Sequence, residues 1–222
     1  MGAAHFLVEI IRLETAAERD GDQVLHQHIH RCAWAVPVFN AAFGQRMAGG
    51  GGLDQFQAVP HSFSADDLVA GRVDALSGYV TDEPFEFKAR RFAFHQFSPR
   101  AAGIDFYGDT LFTTEAMVRT QPLQVRAFRE ASLKGWRYAM DHPAEVADMI
   151  LAKYSRRHTR PHLLFEAAEL ARLMQTDLVE IGHMSEGRWR HMAETYAELG
   201  MGFMDDVDGY WGVMAPAKTP TE

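Results

Sequence analysis

The chain has 222 residues, of which 47% are hydrophobic and 23% are charged, so it can bury a core as one domain or as two small lobes. Its 22 basic and 30 acidic residues leave a net charge of −8, and an acidic chain repels phosphate backbones, so nucleic acid is not an expected partner. No apolar run approaches the roughly 20 residues that span a bilayer, and the start lacks the basic segment of a secretory signal. A cytoplasmic location is therefore expected for the chain as written.

The first 52 residues carry only short helical patterns and end in a glycine run. The apolar residues of the first pattern suit one face of a helix and are Phe6, Leu7, Ile10, Ile11 and Leu13. Residues 34–43 give a second pattern of this kind. The four glycines at 49–52 predict a linker or a turn. Residues 1–52 are therefore left unassigned, as unrelated or misread sequence or as a domain of another kind.

Three histidines alternate just before the single cysteine, Cys32, and they are His26, His28 and His30. On a strand these side chains would share one face, which is a metal-like geometry, whereas a helix would scatter them. No carboxylate or second histidine cluster lies at a sequence spacing typical of metal ligands, so no metal site is assigned. The lone cysteine also excludes an internal disulfide.

Strand and helix patterns alternate in the middle of the chain. Strands are predicted at residues 56–59, 73–80, 92–97 and 110–114. A short helix is predicted between the first two, with Ser64 as its N-cap and an end near Gly71. Another helix begins at Glu83 and Pro84, because proline is tolerated in a first turn. This βαβαβ order predicts an α/β sheet with right-handed crossovers.

The C-terminal half of the chain is predicted to be helical. Three helices open near a proline each, at Pro122, Pro143 and Pro161, and Ser185 is the expected cap of a fourth. Residues 201–222 are expected to form a flexible tail.

Residues 71–84 carry the first candidate site. A buried strand there leads to an aromatic, a hydroxyl and an acidic side chain, which are Tyr79, Thr81 and Glu83. Because ligands of open α/β sheets bind at the carboxyl ends of strands, these residues are candidates for ligand contact. A strand–loop–helix joint with solvated acids explains the same spacing equally well.

Residues 103–115 interleave aromatic and acidic side chains, among them Tyr107 and Asp109. Aromatic faces can hold a planar heterocycle, and carboxylates can pair with its amino groups. The pattern suits a crossing between domains that faces a cleft, and it equally suits core aromatics beside a turn.

These stretches together resemble a family of solute-binding proteins that groups sulfonate-binding transport proteins with the thiamine-pyrimidine synthase of yeasts. The resemblance covers about residues 54–200 and rests on residues 60–63, 71–75, 79–84, 103–109, 112–115, 126–129, 132–136, 142–143 and 180–184. The last of these segments are most similar to a bacterial branch that also forms the sensor part of signalling proteins.

The resemblance implies an α/β, periplasmic-binding-protein-like (type II) fold in partial two-lobe form. Residues 53–200 would hold the second lobe and the return into a first lobe that is largely missing. Tyr79, Thr81 and Glu83 would lie near the cleft, with Tyr107 and Asp109 on the returning hinge. Glu83 and Asp109 would supply charge-assisted hydrogen bonds, and the two tyrosines would supply a stacking surface.

The implied function is the recognition of a small nitrogen heterocycle, such as a thiamine pyrimidine precursor, by lobe closure. Expected partners are this ligand and, in an intact and periplasmic parent, an ABC transporter membrane subunit or fused signalling domains. Two alternatives stand beside it: an enzyme of thiamine pyrimidine (hydroxymethylpyrimidine) biosynthesis, and a truncated product without independent activity. The enzymes of the family use pyridoxal phosphate, iron, a cysteine-rich loop and first-lobe residues, and no position here matches them. No catalytic residue, metal or cofactor is therefore assigned.

Overall fold

The computed structural model describes residues 57–198 and three earlier strand segments, 2–3, 7–12 and 31–34, the latter three as backbone. The chain folds into two compact units. The first unit comprises His5–Asp105, and the second comprises Met1–Ala4 together with Phe106–Glu222. Within the described residues, no helix is both long enough and apolar enough to cross a membrane.

Seven strands occur in the described residues. They are β1 Gly2–Ala3, β2 Leu7–Arg12, β3 Arg31–Trp34, β4 Gln57–Pro60, β5 Ala75–Tyr79, β6 Phe94–Phe97 and β7 Asp109–Thr110. Five of them form the sheet of the first unit, in the order β4-β3-β5-β2-β6. β3 pairs in parallel with β4 and β5, whereas β2 runs antiparallel to β5 and β6. The sheet is therefore mixed, with β2 opposing the other four strands.

Two short helices of the first unit connect the later strands of this sheet. Helix α1, Asp66–Val69, lies between β4 and β5, and helix α2, Glu83–Ala89, lies between β5 and β6. Pro84 stands in the first turn of α2, where its missing N–H is no loss. The predicted alternation of strands and helices is confirmed over residues 57–97.

The core of the first unit gathers under these helices. Leu68 of α1, Leu76 of β5 and Phe87 of α2 are at most 1% exposed. The Phe87 ring lies 5.4 Å from the ring of Phe92 and 5.2 Å from that of Phe94, centroid to centroid. Burying an aromatic side chain of this size stabilises a fold by about 1.5–3 kcal/mol, so this cluster anchors both helices on the sheet.

The second unit is mostly helical. Its helices are α3 Glu115–Thr120, α4 Pro122–Asp141, α5 Pro143–Lys153, α6 Arg160–Met174 and α7 Glu186–Glu198. A proline stands in the first turn of α4, α5 and α6, as the sequence predicted. Ser185 caps α7, because its hydroxyl oxygen accepts a hydrogen bond from the Arg188 N–H at 3.2 Å. β1 and β7 pair antiparallel in the same unit.

Three local predictions need correction. The helical pattern that starts at Phe6 is wrong for residues 7–12, which form strand β2 because the β-branched side chains of that segment suit a pleated sheet. Residues 111–114 are not strand, since Thr114 instead caps α3 by accepting a hydrogen bond from the Met117 N–H at 3.2 Å. The N-cap position of α1 falls on Ala65, although the Ser64 hydroxyl does accept from the Asp66 N–H at 3.2 Å.

Other predictions lie outside the described residues. They concern the helical pattern after Trp34, the glycine run at 49–52, the three alternating histidines and the tail from residue 201. Residues 1–52 nevertheless contribute β2 and β3 to the sheet of the first unit. The domain boundary at residue 52 stays a prediction, while the first compact unit ends at Asp105.

Candidate functional site

The residues that follow β4 and β5 lie at the carboxyl edge of the sheet. Both strands run parallel to β3, so their carboxyl ends lie at the same edge. The chain passes from β3 to β4 on one side and then returns across β3 to β5 on the other. In open α/β sheets, ligands bind at the carboxyl ends of the strands beside a reversal of this kind, so this edge is a candidate site.

Glu83 lies at this edge, in the first turn of α2. Its Oε2 accepts a hydrogen bond from the Tyr79 backbone N–H at 2.6 Å. Burial raises the pKa of the Glu83 carboxyl to about 7, an effect that the backbone hydrogen bonds of Glu83 and Tyr79 oppose and the nearby Asp82 and Glu86 carboxylates reinforce. At neutral pH the group therefore exists in both protonation states, so it can donate a proton or accept one.

Tyr79 and Thr81 differ in their access to solvent. Tyr79 ends β5 and is half-buried, and its backbone N–H holds Glu83 in place. Thr81 is only 1% exposed and belongs to the packed interior, as does Ser77 of β5. The structure thus joins Tyr79 and Glu83 directly and places the Thr81 side chain beneath the surface.

Tyr107 and Asp109 belong to the second unit. The Tyr107 hydroxyl oxygen accepts a hydrogen bond from the Ser185 N–H at 2.7 Å. Its ring lies 5.3 Å from the Trp189 ring and 4.7 Å from the Arg188 guanidinium carbon. Tyr107 is therefore fastened to the start of α7. Asp109 lies in β7, where it pairs with Ala3 of β1.

His61, directly after β4, was not among the predicted site residues. Its Nδ1 accepts a hydrogen bond from the Phe63 N–H at 2.8 Å, because a backbone N–H can only donate. Its Nε2 lies 2.8 Å from the Ser77 carbonyl oxygen, which can only accept. The imidazole is therefore the neutral Nε2–H tautomer. The sequence signal for this arrangement is a histidine directly after a strand, with an aromatic residue two positions later.

A pair of histidines in the second unit was also missed. His158 and His162 place their Nδ1 atoms 3.1 Å apart, and His162 is only 4% exposed.

The chain matches the family described as NMT1/THI5 like over residues 33–146. It belongs to this family. The NMT1/THI5-like match begins within β3 and ends within α5, so it includes the residues around both candidate stretches. It also covers residues 33–52, which the sequence alone left unassigned. No curated protein matches the chain.

Membership in the NMT1/THI5-like family implies a periplasmic-binding-protein-like fold and a small-molecule ligand. The expected family is thereby confirmed.

Proposed function

We propose that this chain is a ligand-binding module that recognises a small nitrogen heterocycle, such as a thiamine pyrimidine precursor, for ABC-type uptake or for signal sensing. The observation that carries the proposal is the Glu83 carboxyl, held by the Tyr79 N–H at the carboxyl edge of the sheet, with its pKa raised to about 7. Family membership supports a small-molecule ligand of some kind.

The chemistry of the Glu83 carboxyl suits an aminopyrimidine. Such a ring presents an amino donor beside a ring nitrogen that accepts a proton. A protonated carboxyl donates to the ring nitrogen while its other oxygen accepts from the amino group. If the proton moves to the ring, the same two hydrogen bonds become charge-assisted. A carboxylate offers about four lone-pair sites, so the bond from Tyr79 leaves acceptor capacity for the ligand.

The same chemistry disfavours sulfonates, the other ligand class that the resemblance suggested. A sulfonate stays anionic at every physiological pH and has no proton to donate. The ionised form of Glu83 repels it, and the protonated form offers only one hydrogen bond. The net charge of −8 on the whole chain also disfavours an anionic ligand.

The proposal extends to the fold. We infer that the first unit is one lobe of a type II periplasmic-binding-protein-like arrangement. The support is its family membership together with a mixed sheet in which one antiparallel strand, β2, is inserted among parallel ones. Tyr107 and Asp109 lie in the second unit, and the binding chemistry proposed for Glu83 does not depend on them.

A thermal-shift titration tests the proposal against its rivals. The probes are 4-amino-5-hydroxymethyl-2-methylpyrimidine, the same ring without its amino group, and taurine as a sulfonate. We expect the melting temperature to rise with the aminopyrimidine and to stay constant with the other two. Stabilisation by taurine alone, or by none of the three, would contradict the proposal.

A further inference from the structure

We propose that Phe63 is the aromatic wall of the ligand site at the carboxyl edge of the sheet, and that His61 is the residue that positions it. The inference rests on the proposed function, because it names a second contact for the same planar heterocycle. It also gives a role to residues 61–67, which the proposed function does not involve.

The backbone of Phe63 is the first observation. Its φ is 57°, in the left-handed region that residues with a Cβ rarely adopt. Its side chain is 65% exposed, so the ring gains little from burial in return. An exposed aromatic side chain in an unfavourable backbone conformation contributes little to the stability of the fold. Strain of this kind persists where the surroundings enforce it, and it is concentrated at ligand sites.

His61 is the group that enforces this conformation. Because its Nε2–H donates to the Ser77 carbonyl, the imidazole is anchored on β5, and its Nδ1 accepts the Phe63 N–H. The two rings lie 4.7 Å apart, centroid to centroid, with planes inclined by 46°. The neutral tautomer thus fixes both the backbone and the ring of Phe63.

The loop after Phe63 is fastened as well. The Ser62 hydroxyl donates to the Asp67 Oδ2 at 2.5 Å, and the Arg72 Nε donates to the Asp67 Oδ1 at 2.6 Å. The Asp66 N–H donates to the Ser64 hydroxyl oxygen at 3.2 Å. Phe63 is therefore held between two anchored segments, and an ordered aromatic binds a ring at a lower entropic cost than a mobile one.

The position of this loop connects it to Glu83. His61 bonds the carbonyl of Ser77, which stands two residues before Tyr79 on β5. Two strand residues span about 7 Å, and the Tyr79 N–H bonds the Glu83 carboxylate. The aromatic loop and the carboxyl therefore border the same edge of the sheet. A flat face and a two-point hydrogen-bonding group are what a planar aminopyrimidine requires.

The test compares Phe63→Gly with Arg91→Gly, since Arg91 is also an exposed non-glycine residue with a left-handed φ, 53°. Both changes relieve backbone strain, so both should keep or raise the melting temperature. Only Phe63→Gly should weaken the binding of 4-amino-5-hydroxymethyl-2-methylpyrimidine, by about 3- to 10-fold in a calorimetric titration, which is the range that an aromatic contact provides.

Two variants of His61 test its positioning role. His61→Ala should weaken binding about as much as Phe63→Gly, because nothing then holds the Phe63 N–H. His61→Asn should restore part of the affinity, since its side-chain oxygen can accept that N–H two residues on. If asparagine and alanine at position 61 weaken binding equally, the positioning role is wrong.

The outcomes separate this inference from the function on which it rests. Wild-type affinity in Phe63→Gly, together with a loss of binding in Glu83→Ala, overturns the aromatic wall and leaves the proposed function intact. If the wild-type protein does not bind the pyrimidine, the proposed function fails first. Weaker binding in Phe63→Gly together with unchanged binding in Arg91→Gly supports the inference.

Discussion

The Tyr79 backbone N–H donates a hydrogen bond of 2.6 Å to the Glu83 Oε2, across the turn that joins strand β5 to helix α2. The hydrogen bond and burial act on Glu83 in opposite directions, and burial dominates, because the pKa of the carboxyl rises to about 7. The turn thus keeps a proton available at neutral pH, at the carboxyl edge of the sheet, where we propose that the ligand binds.

The raised pKa of Glu83 predicts a stability that falls as the pH rises. Between the ordinary value of 4.5 and about 7, the folded chain binds more protons than the unfolded chain. The free energy of unfolding therefore decreases through this window, by about 3 kcal/mol in total. We expect Glu83→Gln to remove most of this slope, because glutamine does not titrate and its Oε1 still accepts the Tyr79 N–H.

The measurement is the melting temperature of both proteins from about pH 5 to about pH 8. Glu115→Gln is the control, since Glu115 is an exposed acid that pairs with Arg119, so its removal should leave the slope unchanged. Equal pH slopes in the wild type and in Glu83→Gln would show that Glu83 is not the buried acid described here.

Replacing either of two glycines by alanine is predicted to change the stability, in opposite directions. Gly71 has a φ of 69° just after α1, so Gly71→Ala should lower the stability of the first unit by about 1–2 kcal/mol. Gly135 lies inside α4, and a Cβ there would meet nothing within 4 Å. Gly135→Ala should therefore raise stability by about 0.5–1 kcal/mol. Thermal unfolding of each variant gives the sign, and two shifts in the same direction would contradict the backbone description.

Tyr107 is predicted to stabilise the second unit through its hydroxyl. Tyr107→Phe removes the acceptor of the Ser185 N–H, which should lower the free energy of unfolding by about 0.5–1.5 kcal/mol in a urea titration. Tyr154→Phe is the matched control, because Tyr154 is 75% exposed and should give no change. A Tyr107→Phe variant as stable as the control would mean that this hydrogen bond adds nothing.

Local signals in the sequence predicted most of the elements after residue 56. Proline fixes its own φ, so Pro84, Pro122, Pro143 and Pro161 each marked a helix start correctly. Strand β2 was missed because Leu7, Ile10 and Ile11 also suit a helical spacing. The segment forms a strand because it pairs with β5 and β6, some 64 to 88 residues away, and no local pattern encodes this pairing.

The sequence indicated candidate site residues but not their protonation or burial. The end of a buried strand before a helix start indicated Tyr79 and Glu83. The protonation of Glu83 depends on how deeply the fold buries it, which the sequence does not state. Phe63 could not be found either, because its left-handed backbone comes from a bond to His61 that only the folded chain makes. Thr81 was also a candidate for ligand contact, but its side chain is buried.

The central claim is that Glu83 binds an aminopyrimidine. Isothermal titration of 4-amino-5-hydroxymethyl-2-methylpyrimidine into the wild type, Glu83→Ala and Glu86→Ala tests it most directly. We predict that the wild type and Glu86→Ala bind alike and that Glu83→Ala binds about 10- to 100-fold more weakly, as expected for the loss of hydrogen bonds to a charged group. Equal affinity in Glu83→Ala and the wild type, or no binding by the wild type, would contradict the claim.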